Sequence, residues 1–284
     1  MHTTLIAPSS DLVRRASEPG WLFVDCRFDL ANPSAGEAAW RAGHIPGAVY
    51  AHAERDLSAP VTATSGRHPL PDPEVFAQTL GSWGLTSDTQ VVAYDADNGV
   101  FASRLWWLLR WVGHRAVAVL NGGYKAWLAA GLPTSTQAAP RSPVQFIAKP
   151  DREAWVDSSQ VAACLHHSNW LIIDARAPER FAGEVEPLDA VAGHIPGARN
   201  YPYTRNIGPG GRFVSADQIA AQLDVVQRGV ANDHTIVMCG SGVTACHLLL
   251  AMEIAGRPGA KLYAGSWSEW IKDPARPVEV GRSD

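Results

Sequence analysis

The 284-residue sequence lacks most features of secreted, membrane and nucleic-acid-binding proteins. Its 4 cysteines form no CxxC pair and are too few for a disulfide scaffold, and no HxxxH pair suggests a metal site. No apolar run approaches the ~20 residues that cross a bilayer, and the N-terminal residues do not resemble a secretory signal. Lys and Arg number 24 against 28 Asp and Glu, which argues against nucleic-acid binding. We therefore expect a cytoplasmic, thiol-reduced protein with no metal, membrane or nucleic-acid partner.

The residues that are present indicate a large folded core and an internal duplication. A hydrophobic share of 46% with 18% charged residues excludes disorder, and this chain length favours two domains. Four sequence blocks recur in the same order at a nearly constant offset, which indicates two copies of one fold. They are LFVDCR (22–27) and LIIDAR (171–176), GHIPGA (43–48 and 193–198), QVVAYD (90–95) and TIVMCG (235–240), and AVLNGGYKAW (118–127) and KLYAGSWSEW (261–270).

The sequence of each copy predicts short apolar strands that alternate with helices. Such alternation predicts the α/β class, with an open parallel sheet flanked by helices in each domain. We expect a first domain over 1–140, a linker over 141–155 and a second domain over 156–284, and the stretch 131–150 at this boundary is rich in Pro, Ser and Thr. The predicted strands are WLFVD (21–25), VVAY (91–94), LIID (171–174) and TIVM (235–238), and the predicted helices lie in 71–84, 99–113, 215–229 and 242–256.

The two copies differ at the end of one strand. Asp95 follows the strand of the first copy, where the second copy has Cys239. Ligands of open α/β sheets bind at the carboxyl ends of the strands, so Cys239 occupies a position suited to chemistry. In this comparison the second copy carries the reactive group and the first copy has lost it.

The residues after Cys239 are suited to holding an anion. Gly240, Ser241, Gly242, Val243 and Thr244 lie between the strand and the next helix, where glycines let N–H groups converge and the helix N-terminus adds positive charge. Both effects favour a thiolate nucleophile. A buried structural cysteine is the simpler alternative. A Cys-x5-Arg phosphatase would need arginine where this chain has Ala245, whereas a sulfur carrier needs only the thiolate and its N–H donors.

The GHIPGA pair, CGSGVTA (239–245) and LYAGSWSEW (262–270) resemble the rhodanese superfamily, specifically its two-domain sulfurtransferases. The resemblance covers about residues 21 to 272. It implies two tandem rhodanese-like domains, the first catalytically inactive. It also implies that a Cys239 persulfide, without a cofactor, carries sulfane sulfur from 3-mercaptopyruvate or thiosulfate to cyanide or a thiol, with thioredoxin a candidate acceptor. A non-catalytic sulfur-sensing module and a cysteine-dependent phosphatase stay as alternatives.

The same resemblance assigns further residues. It implies that Arg180 binds the anionic donor, and that GRHPLP (66–71) brings His68 to the site across a cleft between the domains. We expect Ser241 to hydrogen-bond His68, with Glu54 or Asp56 behind the imidazole. Such a group could protonate the enolate that leaves from mercaptopyruvate.

Two features of the sequence bear on the donor and on shared residues. CGSGVT resembles the loop of mercaptopyruvate sulfurtransferases, but those members often carry a second arginine where this chain has Leu188 and Asp189. The sequence therefore does not identify the preferred donor.

Residues present in both copies, active and inactive, are expected to be structural. They are His44 and His194, and Asp25 and Asp174, which we expect to pair with Arg27 and Arg176.

Overall fold

A computed structural model describes residues 1–165 and 167–282, and the chain divides into two compact units. The first unit comprises Met1–Ala59, Pro71–Asp151 and Gly208–Phe213; the second comprises Pro60–Leu70, Arg152–Ile207 and Val214–Asp284. This differs from the division into 1–140, 141–155 and 156–284, since the residues of 60–70 and 208–213 each belong to the other unit. A division into contiguous stretches cannot assign such segments, because each packs among residues remote in sequence.

The first unit is built on a parallel five-stranded sheet. Its strands are β1 (Leu5–Ile6), β2 (Trp21–Asp25), β3 (Val49–Tyr50), β4 (Gln90–Tyr94) and β5 (Val117–Leu120), in the order β1-β5-β4-β2-β3. Its helices are α1 (Ser10–Arg15), α2 (Ala35–Ala42), α3 (Pro73–Ser82), α4 (Val100–Trp111) and α5 (Gly123–Ala129). The stretch after α5 hydrogen-bonds along the same unit, with Val144 N–H donating to Gly81 O and Lys149 N–H to Val112 O.

The second unit repeats this topology. Its strands are β6 (Trp155–Val156), β7 (Leu171–Asp174), β8 (Arg199–Asn200), β9 (Thr235–Met238) and β10 (Lys261–Tyr263), in the equivalent order β6-β10-β9-β7-β8. Its helices are α6 (Ser158–Cys164), α7 (Pro178–Phe181), α8 (Ala216–Gln227), α9 (Val243–Ile254) and α10 (Ser266–Trp270). It also contains short 3-10 helices at Tyr203–Asn206 and Asn232–His234, whereas a third, at Pro209–Gly211, belongs to the first unit. All strand pairs in both sheets are parallel.

The predicted strands and helices are confirmed, and their apolar pattern explains them. The central strands are buried along their whole length, as the uninterrupted apolar runs of β4 and β9 require. Helix starts follow side-chain caps: Ser215 Oγ accepts from Gln218 N–H at the start of α8, and Asp157 forms a capping box at α6. None of the described helices has the length and apolar surface that a membrane-spanning helix requires.

Residues shared by the two copies make the same contacts in each. Arg27 Nη2 lies 2.6 Å from Asp25 Oδ2 and donates to Gly43 O, and Arg176 Nη2 lies 2.6 Å from Asp174 Oδ2 and donates to Gly193 O. Each ion pair is buried where the first long strand of its sheet ends. The predicted pairing is confirmed, and its recurrence in both copies indicates a structural role.

Candidate active site

Cys239 follows β9 directly and precedes the start of α9 by four residues. Its side chain is buried, with 2% of the residue exposed. Gly242 caps α9, and its N–H donates to Cys239 Sγ over 3.1 Å. Gly242 has φ +80°, and a Cβ there would lie 2.5 Å from Ala264 O, so no other residue fits this turn. The sulfur therefore receives a backbone donor at the positive end of a 12-residue helix.

The sequence predicted an anion-binding loop over residues 240–244, and the loop in the structure is shorter. Val243 and Thr244 form the first turn of α9, so only Gly240, Ser241 and Gly242 connect strand and helix. The N–H groups of that first turn have no partner within the helix, which is the arrangement that binds anions in many proteins. The cradle consists of a three-residue turn joined to a helix start.

A second turn, between β10 and α10, holds the backbone of Cys239. Ser266 Oγ accepts from Cys239 N–H over 3.1 Å and donates to Tyr263 O over 2.8 Å. Ser266 is fully buried and has φ +53°, which is uncommon for a residue other than glycine. A strained serine that bonds the residue carrying the thiol indicates a positional requirement.

The same turn fixes the orientation of the next peptide groups. Trp267 N–H donates to Cys239 O over 3.0 Å, and Ser268 N–H donates to Gly240 O over 2.9 Å. In a trans peptide the C=O and the following N–H point in opposite directions. The N–H groups of Gly240 and Ser241 therefore point away from α10, which leaves them on the other side of the loop.

His68 and Ser241 come together in the second unit. His68 Nδ1 lies 2.8 Å from Ser241 Oγ, and both residues are buried. His68 belongs to the segment Pro60–Leu70, whose Arg67 N–H donates to Ser268 Oγ over 3.0 Å. The expected hydrogen bond between His68 and Ser241 is thus present, two residues beyond the thiol.

The acids expected behind His68 lie in the first unit. Asp56 Oδ2 accepts from His52 N–H over 2.7 Å and lies 3.0 Å from Arg55 Nη2. Glu54 is exposed, and its N–H donates to His52 Nδ1. Asp56 is engaged in a local turn and ion pair, and a relay role for Glu54 or Asp56 stays a prediction.

Arg180 on α7 lies beside the cysteine loop, where two acids hold its guanidinium. Arg180 Nη2 lies 2.7 Å from Glu186 Oε1 and 3.1 Å from Asp189 Oδ2, and Nε also donates to Glu186. A Cβ added to Gly240 would lie 3.3 Å from Arg180 Nη1. The predicted donor-binding arginine is therefore adjacent to the residue after Cys239.

Three arginine side chains near the cysteine loop form ion pairs with three acidic side chains. Burial opposes ionisation of Glu186, but the hydrogen bond and charge of Arg180 and the backbone N–H groups of Leu188 and Asp189 together outweigh it, so the pKa of Glu186 is lowered. Burial raises the pKa of Asp189 despite its arginine neighbours. Burial likewise opposes the charge on Arg176, yet Asp174 and Glu186 keep the pKa of Arg176 above its usual value. The three guanidinium groups and three carboxylates belong to Arg67, Arg176, Arg180, Asp174, Glu186 and Asp189.

Sequence reasoning missed two residues at this site. Arg67 stands next to His68 in GRHPLP, and its Nη2 would lie 2.9 Å from a Cβ on Gly240. Ser266 lies in the repeated block at the position of Gly123, whose φ is +58°. A serine where the other copy has glycine was the available signal for Ser266. For Arg67 the only signal was its neighbour in the same short segment.

The other cysteines are not part of this site. No disulfide joins any of the four, all of which lie in the described part of the chain. Cys246 is buried one helical turn from the loop, and its thiol lies 3.2 Å from Gly242 O, as expected for a core-facing residue. Of the four thiols, that of Cys239 is the one that lies in the loop between β9 and α9.

Fold and site together define a duplicated α/β protein with a buried cysteine held at a helix N-terminus. A family model described as Rhodanese-like domain matches residues 9–130 and 157–273. The chain therefore belongs to the rhodanese family, with two tandem domains.

Comparison with individual proteins narrows the class further. The chain is 48% identical over 283 residues to the "Probable 3-mercaptopyruvate sulfurtransferase" of Pseudomonas aeruginosa, covering 99% of this chain and 100% of that protein. It is 33% identical over 260 residues to the thiosulfate sulfurtransferase of Bos taurus, covering 89% and 86%. The crystal structure of the 3-mercaptopyruvate sulfotransferase SseA from Escherichia coli superposes with a TM-score of 0.81 at 35% identity, covering 94% and 100%. The chain is an enzyme of the sulfurtransferase type.

Proposed function

We propose that this protein transfers sulfane sulfur from 3-mercaptopyruvate or thiosulfate to a thiol or to cyanide through a persulfide on Cys239. The observation that carries the proposal is the Cys239 thiol, which accepts the N–H of the α9 cap and lies beside cationic side chains. A thiolate needs this environment to act as a nucleophile near neutral pH. Relatives named for each of the two donors support the reaction class.

The first half-reaction loads the cysteine. With thiosulfate, Cys239 Sγ attacks the outer sulfur, the S–S bond breaks, and sulfite leaves with the electron pair. With 3-mercaptopyruvate, Cys239 Sγ attacks the thiol sulfur of the donor and the C–S bond breaks. The electron pair of that bond goes to the carbon, which gives the enolate of pyruvate, and the enolate takes up a proton. Either route leaves Cys239 as a persulfide. The N–H donors of the helix start stabilise the negative charge on its outer sulfur.

The second half-reaction returns the free thiolate. Cyanide attacks the outer sulfur of the persulfide, the S–S bond breaks, and thiocyanate leaves. A thiol acceptor reacts in the same way and becomes a persulfide itself. We propose a thiol such as that of thioredoxin as the physiological acceptor, and the cytoplasm, where thiols stay reduced, as the compartment.

The neighbouring residues serve the donor. Arg180 binds its carboxylate or sulfonate, for which a planar guanidinium is well shaped. The hydrogen-bonded pair of His68 and Ser241 supplies the proton that the pyruvate enolate requires. Glu54 or Asp56 is the proposed acid that orients the imidazole. Loss of the pair is thus expected to affect mercaptopyruvate turnover more than thiosulfate turnover, since sulfite leaves without a proton.

The test is thiocyanate formation from cyanide with each donor, for wild type, Cys239→Ser and Cys246→Ser. We expect turnover in wild type and in Cys246→Ser, and a loss of at least about a thousandfold in Cys239→Ser. Mass spectrometry after donor treatment without acceptor should show one added sulfur on the peptide that contains Cys239. Absence of turnover with both donors would overturn the proposed function, and activity retained by Cys239→Ser would overturn the residue assignment.

A further inference from the structure

The turn between β10 and α10 and its counterpart after β5 hold the loop of the neighbouring strand in the same way. Each turn donates two successive backbone N–H groups to that loop. The bonds are Trp267 N–H to Cys239 O and Ser268 N–H to Gly240 O in the second unit, and Tyr124 N–H to Asp95 O and Lys125 N–H to Ala96 O in the first. Because these bonds are present with and without the thiol, they belong to the shared fold.

The side chains at one position of the two turns differ. Lys125 and Ser268 match in the repeated blocks, but Lys125 is exposed, whereas Ser268 is 3% exposed. Ser268 Oγ accepts from Arg67 N–H over 3.0 Å and donates to Gly265 O over 3.3 Å, so the hydroxyl is used both as donor and as acceptor. Ser268 therefore bonds the backbone of the residue that precedes His68.

Close backbone packing holds the same segment, Pro60–Leu70, against this turn. A Cβ on Gly66 would lie 2.5 Å from Gly265 O and 2.9 Å from Ser268 Oγ, so a side chain there would push the segment off the turn. His68 follows two residues later, with its Nδ1 at 2.8 Å from Ser241 Oγ. Consecutive Cα atoms are about 3.8 Å apart, so fixing the amide of the preceding residue restricts the backbone that carries the imidazole.

We propose that Ser268 is a positioning residue, which sets the place of His68 relative to the thiol. The turn that contains Ser268 also bonds both the N–H and the C=O of Cys239. One turn thus fixes the backbone of the residue with the thiol and, through a single hydroxyl, the backbone that presents the imidazole. The expected effect on turnover rests on the proposed function, in which His68 takes part in protonating the enolate, but the hydrogen bond to Arg67 N–H does not.

Amide hydrogen exchange tests the hold on the segment independently of sulfur transfer. In Ser268→Ala the Arg67 N–H loses its acceptor. Because opening of the segment then costs less free energy, we expect the peptide that covers residues 60–70 to exchange about tenfold faster. Unchanged exchange of this peptide would overturn the proposal.

The matched control is Asn121→Ala in the first unit. Asn121 Oδ1 accepts from Phe213 N–H over 2.9 Å, and Phe213 ends the segment Gly208–Phe213, which the first unit takes from the second half of the chain. In this variant the peptide that contains Phe213 should exchange faster, and the peptide of residues 60–70 should not change. Equally fast exchange of residues 60–70 in Asn121→Ala and in Ser268→Ala would overturn the specific role of Ser268.

Kinetics with the two donors test the consequence for His68. In Ser268→Ala we expect kcat with 3-mercaptopyruvate to fall about tenfold and kcat with thiosulfate to fall less than about twofold, because the first donor leaves an enolate that needs a proton. Gly66→Ala displaces the same segment by steric contact and should show the same difference between the donors. Asn121→Ala should keep the wild-type ratio of the two kcat values.

These measurements separate the positioning role from the proposed function. Wild-type protein without turnover would reject the proposed function and leave the exchange result valid. Turnover in wild type, with kcat falling equally for both donors or not at all in Ser268→Ala and Gly66→Ala, would overturn the positioning of His68 by Ser268 and leave the proposed function intact. The variants are compared at temperatures well below their melting temperatures, so that exchange reports the folded protein.

Discussion

The loops at the ends of β4 and β9 occupy the same place in two copies of one fold, yet their backbone N–H groups contact different side chains. In the first copy the Asp95 carboxylate accepts from Gly99 and Phe101 N–H over 2.9 Å each and from Ala102 N–H over 3.3 Å. In the second copy, Cys239 Sγ accepts from the N–H of the cap residue, Gly242. Gly99 is also a cap, so equivalent donors face a side-chain carboxylate in one copy and a thiol in the other.

The comparison gives two reasons for the prediction that the first copy is inactive. It has no thiol, and its own carboxylate takes the N–H donors that would otherwise bind an external anion. The loop of the first copy also contains one more residue between strand end and cap, since Asp95 precedes Gly99 by four positions and Cys239 precedes Gly242 by three. The arrangement of N–H donors at the helix start is therefore present also in the copy that has no thiol.

The two cap glycines should tolerate substitution differently, and this is the largest effect we expect. In Gly242→Ala the new Cβ would lie 2.5 Å from Ala264 O, so backbone must move as well as adopt a positive φ. We predict a loss of at least about 3 kcal/mol in unfolding free energy and a fall of about a hundredfold or more in thiocyanate formation. Denaturant titration and donor kinetics measure the two quantities.

Gly99→Ala is the matched variant. Its Cβ would meet Val119 Cγ1 at 3.3 Å, a side-chain contact that can relax, so the cost should be about 1–2 kcal/mol with activity nearly unchanged. If Gly99→Ala and Gly242→Ala lost activity equally, the position of Gly242 beside Cys239 would not explain its effect, and the prediction would be wrong.

The buried carboxylate of the first copy should give that copy a pH dependence. Burial raises the pKa of Asp95 to about 6, although three backbone N–H groups oppose the shift. Since the pKa is higher in the folded state, the contribution to stability is present below pH 4 and is lost as pH rises through 6. The free energy of unfolding of wild type, relative to Asp95→Asn, should fall by about 2 kcal/mol between pH 4 and pH 7.

Urea titrations at several pH values measure this difference. Asp88→Asn removes an exposed carboxylate from the same unit and serves as the control for a lost acidic group. A pH-independent difference between wild type and Asp95→Asn would contradict the expected shift.

Sequence reasoning identified this comparison because its evidence is local. A strand that ends in Asp95 or Cys239, and a glycine before the next helix, are visible in consecutive letters, and the apolar runs locate the buried strands. The segments 60–70 and 208–213, which belong to the unit formed mainly by the other half of the chain, could not be recognised from consecutive residues. Arg67 reaches the cysteine loop through contacts between residues far apart in the chain, and periodicity carries no information on such contacts.

Ser266 shows a different limit. The sequence block that contains Ser266 is recognisable as a repeat of the block that contains Gly123. The role of the Ser266 hydroxyl, however, depends on which atom it hydrogen-bonds. In the second copy that atom is Cys239 N. In the first copy a Cβ at Gly123 would lie 2.7 Å from Asp95 O, so the turn has no room for a side chain. How closely the neighbouring backbone approaches this turn, which the sequence does not reveal, decides whether a side chain fits.

The smallest effect we expect concerns that hydroxyl. Ser266→Gly keeps the positive φ at no cost and removes the hydrogen bond to Cys239 N–H, so the cysteine backbone loses its anchor. We predict a fall of about tenfold in kcat/KM and in the alkylation rate of Cys239 by iodoacetamide, with only a small change in melting temperature. Ser266→Ala should show the same fall together with lower stability, because alanine does not relieve the backbone strain. Ser215→Ala, which loses the cap of α8, should lower stability alone. Wild-type alkylation kinetics in Ser266→Gly would mean that the Ser266 side chain serves the turn and not the thiol.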